Sequence, residues 1–171
     1  MSFLGRVEGR CPQGCEPAEF EVWTFVRGDR DEDLRLALLA GELNLVICQG
    51  CGRPFFPDAT LVYVDPPAGV VAFVFPEGYR ADEERWRGKM HEDFASMREA
   101  LGPELPLVDE PAVYFGYDEA RGALQADDDR EDEARVAEFL LPGLGLKAYA
   151  VDAAFARRRG LPRFVPLKGA R

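Results

Sequence analysis

The sequence predicts an α+β protein: a small antiparallel sheet bearing zinc-ribbon-like cysteine turns, followed by helices that pack on it. Three observations carry that prediction. The four cysteines fall into two close pairs, Cys11/Cys15 and Cys48/Cys51, with a strand–helix–strand pattern between them. Short apolar runs and period-two alternation fill the stretch up to Phe75. The clearest helical stripe, Trp86, Met90, Phe94, Met97 and Leu101, comes after it. The expected organisation is a zinc-binding sheet domain over 1–79 and a mainly helical part over 80–171, packed together as one globular unit.

Taken in order, Phe3–Val7 reads as a short strand that enters the first cysteine turn. Glu19–Val26 alternates, with Phe20, Val22, Thr24 and Val26 on one face and Trp23 and Phe25 on the other. Asp29 and Glu32 form a capping-box variant before a helix over Asp31–Ala40, which Gly41 ends in the left-handed conformation. Leu43–Ile47 is a short strand that delivers Cys48. Leu61–Val64 and Val70–Phe75 flank Asp65-Pro66-Pro67-Ala68-Gly69 and read as a hairpin, which Pro76 closes. A helix over Ala81–Leu101 follows and ends at Gly102-Pro103. Gly102–Pro111, with three prolines, reads as a linker or lid. Ala112–Phe115 is a candidate strand and Asp118–Gln125 a short helix weakened by Gly122. Arg135–Leu141 and Ala148–Arg158 read as two further helices, and Leu161–Leu167 as extended chain.

The formal charge is −10, unevenly placed. From Lys147 onward seven Lys and Arg stand against Asp152 alone, a net of +6, which leaves −16 on the first 146 residues. A body this acidic repels phosphate backbones and argues against a general nucleic-acid role. The basic segment, with Phe155, Leu161, Phe164, Val165 and Leu167 as apolar anchors, is expected to dock on its own acidic body or on a second subunit. Asp127–Glu133 holds six acids around Arg130 but lacks the glycine of a Ca²⁺ loop, so it reads as a solvated helix N-terminus. No run reaches the roughly 18 apolar residues of a membrane span, and Met1–Gly5 is not an export signal. The expected location is the cytoplasm, where thiols stay reduced.

Two close pairs of soft ligands on tight turns are what a tetrahedral Zn²⁺ needs, so Cys11, Cys15, Cys48 and Cys51 are the candidate metal ligands. Cys48-Gln49-Gly50-Cys51-Gly52 has glycines where a knuckle must turn tightly. Cys11-Pro12-Gln13-Gly14-Cys15 is one residue longer and is followed by Glu16-Pro17. Four thiolates around one divalent ion carry a net charge of about −2, for which N–H donors and Arg53 are the available compensation. Two disulfides, or paired turns without metal, are the alternatives. With four sulfur ligands the coordination sphere is closed, so such a metal is structural.

Several short stretches occur in one order: Cys11-Pro12 through Cys15, Phe20–Val26, Gly41-Glu42-Leu43-Asn44, Cys48–Gly52 and Leu61–Asp65. In that order they resemble the CpXC domain, a bacterial and archaeal family with two cysteine pairs and no established function. The resemblance runs closely from Gly9 to Glu77 and loosely beyond. It departs in two places: the inserted residue of the first turn, and Val64, where the family tends to have a histidine. The resemblance makes Asn44, Tyr63 and Asp65 candidates for a polar cluster beside the metal; hairpin and turn duties explain the same residues without one.

No catalytic residue and no further cofactor site is predicted. His91 is the lone histidine and lies off the Trp86–Leu101 stripe, so no Ser or Cys has a triad partner, and no nucleotide-binding glycine motif is present. The expected role is non-enzymatic binding of a protein partner, or self-association, with no membrane. The alternatives are a nucleic-acid-binding zinc ribbon that uses Arg157–Arg171, and an enzyme with an acid/base site at Asp65, Tyr63 or His91.

Overall fold

The computed structural model describes residues 1–102 and 110–168, in two compact units, Met1–Arg121 and Gly122–Arg171. Most of the linker or lid expected at Gly102–Pro111 lies outside the described residues. The architecture is α+β, as the sequence predicts.

The first unit is built on a five-stranded sheet, order β1-β2-β5-β6-β7. Its strands are β1 (Phe3–Gly9), β2 (Ala18–Arg27), β5 (Leu61–Asp65), β6 (Val70–Phe75) and β7 (Ala112–Phe115). The sheet is mixed, not purely antiparallel. β1–β2 and β5–β6 are antiparallel hairpins, whereas β2 runs parallel to β5 and β6 parallel to β7. Parallel neighbours need long crossovers. Helix α1 (Glu32–Ala40) and the cysteine turn lie in the first of these, and helix α2 (Glu83–Leu101) in the second.

β6 is buried along its whole length, as a central strand of branched and aromatic residues should be. Val71, Phe73 and Phe75 join Val64, Phe115, and Met90 and Phe94 of α2 in one cluster, against which Trp86, Met97 and Leu101 pack. The stripe read from the sequence is thus the face that α2 buries. Trp86 stacks on Tyr79 at 4.0 Å between ring centroids. His91 is exposed on α2.

Gly41 ends α1 with φ +76°, as expected. The start of α1 differs from expectation. Asp31 is the capping residue but its side chain makes no cap bond, and Asp29 is engaged elsewhere. Its two oxygens accept from Arg27 Nε and Nη2 at 2.7 and 2.6 Å, and a bidentate pair outcompetes a cap bond.

Helix α3 spans Tyr117–Leu140. The two short helices expected at Asp118–Gln125 and Arg135–Leu141 are therefore one. Gly122 costs only about 1 kcal/mol in a helix interior, which that length absorbs. The acidic run lies inside this helix and not at a solvated N-terminus. Asp127 accepts from Arg130 at 2.7 Å and from Arg157, and Glu131 meets Arg163 at 3.4 Å. The helix expected over Ala148–Arg158 is instead strand β8 (Leu146–Ala150) followed by helix α4 (Ala153–Arg159). Asp152 divides them: its carboxylate accepts the Phe155 N–H at 2.8 Å and caps α4. β8 pairs antiparallel with β9 (Phe164–Lys168).

Candidate metal centre

The second cysteine turn lies between two short strands, β3 (Val46–Ile47) and β4 (Pro54–Phe55), which pair antiparallel. The Cys48 N–H donates to the Arg53 carbonyl at 2.9 Å and the Gly52 N–H to the Cys48 carbonyl at 2.8 Å, closing a tight turn. Gly52 has φ +72°, a conformation that a side chain would strain. Gly50 is favoured for a different reason. A Cβ there would lie 3.3 Å from both Cβ and Sγ of Cys15, a tight contact that would press the two cysteine turns apart by a few tenths of an ångström.

The first turn makes up for its extra residue with Gly14 at φ +76°, placed before Cys15 where the sequence pattern puts its glycine after the second cysteine. The Gly14 N–H donates to the Cys11 carbonyl at 2.9 Å, and the Gln13 N–H points at Cys11 Sγ at 3.4 Å. That last contact is the N–H-to-sulfur geometry that stabilises a thiolate.

All four sulfurs lie within 4.8 Å of one another. The Cys11 and Cys51 sulfurs are 3.6 Å apart, far beyond the ~2.04 Å of a disulfide, and all four cysteines are free. A tetrahedron with Zn–S bonds of about 2.3 Å has edges of about 3.8 Å, so this cluster is the size of a metal site. The thiols differ in ease of ionisation. Backbone N–H groups of Cys51 and Gly50 hold Cys48 down to about 7, while Cys51 and Cys48 beside it push Cys15 up to about 12. Four thiols this close cannot all ionise without a cation among them. The donor set therefore fits a soft divalent metal. Arg53 contributes its carbonyl to the turn and leaves its side chain exposed.

The cluster rests on few apolar contacts. Cys11, Cys48 and Phe55 are buried together, with Phe20 and Val46 against them. Phe20 of β2 meets Phe55 edge-on at 5.5 Å, which attaches the thiol end to the sheet.

Asn44 bonds to β2 and to Tyr117, whereas Tyr63 and Asp65 lie against each other in the hairpin. Asn44, at φ +63°, completes the edge of β2 where β5 does not reach. Its Oδ1 accepts the Trp23 N–H at 2.7 Å, and its Nδ2 donates to the Trp23 carbonyl and to Tyr117 Oη, each at 2.8 Å. Tyr117 had no signal in the sequence, because nothing local links it to a residue so far away. Tyr63 is 1% exposed and packs so tightly that a Cβ on Gly28 would lie 1.9 Å from its hydroxyl. Asp65 is 9% exposed, accepts the Ala68 N–H at 3.2 Å, and is held above the usual carboxylate range by burial. Val64 is fully buried in the apolar cluster. Side chains sealed in this way serve the hairpin and the core.

A family model described as CpXC protein matches residues 10–131, which include all four cysteines, the sheet strands other than β1, α2 and the start of α3. No curated protein and no solved structure matches the chain.

Proposed function

Because the chain belongs to the CpXC family, we propose that it is a non-enzymatic cytoplasmic protein whose structural zinc presents a surface to a protein partner. The convergence of Cys11, Cys15, Cys48 and Cys51 within 4.8 Å carries this reading. Four thiolates fill a tetrahedral shell, so a bound ion has no open position for water or substrate and supplies cross-linking chemistry alone. The protein does the rest: Gln13, Gly50 and Cys51 aim N–H groups at sulfur, and the missing side chain of Gly50 eases the approach of the two turns. Burial of Tyr63 and Asp65 weighs against an acid/base enzyme, since no substrate reaches a side chain 1% or 9% exposed. The −16 on the first 146 residues weighs against nucleic acid. Among the described residues no helix is long and apolar enough to cross a membrane.

Elemental analysis of reduced protein should find one zinc per chain, and X-ray absorption should give sulfur neighbours only, at about 2.3 Å. Absence of metal, or Cys–Cys bonds, overturns the zinc. For the partner, chemical cross-linking followed by reconstitution with the purified protein it identifies should give a stoichiometric complex. Duplex DNA binding with a steep salt dependence contradicts the reading.

A further inference from the structure

A cleft of about 710 Å³ opens in the first unit between β4 with the residues after it to Ala59, the segment Pro76–Gly78, and the Phe115–Glu119 stretch where β7 passes into α3. This is the size range of pockets that hold ligands of a few residues. We propose that it docks an extended, basic segment of a partner protein, with an arginine or lysine side chain over its aromatic floor. The inference rests on the protein-partner reading above and gives that partner a chemistry and a place.

The floor is Phe56, 41% exposed, stacked on Tyr117 at 5.0 Å and 26°. An exposed aromatic is usually mobile, but this one is held on one face by its stack on Tyr117. Tyr117 is bonded to Asn44, which is bonded to the backbone of β2. Phe56 follows β4, the strand that leaves the cysteine turn. Pro12, next to Cys11, and Pro54, Pro57 and Pro76 make up much of the wall, and their fixed φ leaves little to order on binding. Rigid aromatic and proline walls are the kind of groove into which extended peptides lay.

Charge selects the occupant. Asp58, Glu77, Asp118 and Glu119 face one cation, Arg80, a net of −3. Arg80 is already engaged: it pairs with Glu119 at 2.7 Å, donates to the Phe115 carbonyl at 3.2 Å and lies over the Phe115 ring at 5.2 Å. Asp118 pairs with Arg121 at 2.9 Å. Asp58 and Glu77 have no ionic partner among the described residues. The cleft therefore offers a π-face flanked by uncompensated carboxylates, which attracts guanidinium or ammonium and repels phosphate.

The test is selection from a displayed library of random peptides of about twelve residues against the zinc-loaded full chain, then titration of the enriched peptides. Arginine- or lysine-bearing sequences should be enriched and bind one per chain. Their affinity should fall with salt, and about tenfold with Phe56→Ala or with Asp58→Asn plus Glu77→Gln. The same charge change placed on α3, Glu133→Gln plus Glu138→Gln, should leave affinity within about twofold. Enrichment of acidic or purely apolar peptides, or equal losses from cleft and α3 variants, overturns the assignment. Self-association abolished by Phe56→Ala overturns it in favour of a second copy's basic C-terminal segment. If a reconstituted partner binds all cleft variants equally, the cleft is wrong and the protein-partner reading stands; if no protein binds at all, both fall.

Discussion

Around Phe73 the first unit is held by seven buried apolar side chains, Met90 and Phe94 of the α2 face among them. Around Cys11 the buried set is Cys11, Cys48 and Phe55. Each buried apolar side chain contributes about 1.5–3 kcal/mol, so the first region stabilises itself and the second does not. Below some size a piece of structure needs a cross-link, and here the thiols stand where the apolar core gives out. The metal end is thus expected to be a separately switchable part of a unit whose sheet persists without it.

The strongest way to break this contrast is to attack the apolar side. Phe73 is 2% exposed, and Phe73→Ala should cost about 3–5 kcal/mol of global stability by denaturant titration. A smaller global loss than Cys48→Ser produces would mean that the thiol end, not the sheet, dominates.

Asn44 ties neighbouring parts together, so its loss sharpens the comparison. Asn44→Ala removes three hydrogen bonds and leaves at φ +63° a residue that tolerates the left-handed region less well than asparagine, for an expected loss of about 2–4 kcal/mol in thermal unfolding. Asn44→Gly keeps the backbone at ease and should recover about 1 kcal/mol of it. Equal losses for the two variants would assign the whole effect to the hydrogen bonds.

Asp65 should give the smallest effect and the opposite sign. Burial raises its pKa, so the folded state holds the proton more tightly than the unfolded chain does. The ionised form therefore costs stability above the folded pKa, and that cost vanishes as pH falls below the ordinary value of about 3.9. Asp65→Asn keeps an oxygen for the Ala68 N–H and should raise stability at pH 7 by about 1 kcal/mol or less, with the difference closing in acid. Asp29 runs the other way. Arg27 lowers its pKa, so its stabilisation is present above about 3.9 and is lost as pH falls through its depressed folded value. A destabilised Asp65→Asn protein at pH 7 contradicts the account of Asp65.

Local chemistry was legible in the sequence, and distant pairing was not. Cysteine spacing, the Trp86–Leu101 stripe, the β5–β6 hairpin and the Gly41 terminus each depend on residues within a turn or two of one another. The parallel pairings of β2 with β5 and β6 with β7 join strands across long crossovers and leave no local mark. Ala148–Arg158 misled because alanine and arginine favour helix wherever they stand, while pairing with β9 decides the first part of that stretch. The bond from Asn44 to Tyr117, and with it the cleft floor, was hidden for the same reason.

The most direct test of the contrast between the two ends is amide hydrogen exchange on the full chain, before and after the metal is removed with a chelator under reducing conditions. Protection should collapse over 9–17 and 44–57, which carry the cysteine turns, β3 and β4, and should persist over 61–75 and 83–101, which carry β5, β6 and α2. Unchanged protection in the cysteine turns, or loss of protection throughout the sheet and α2, would contradict it.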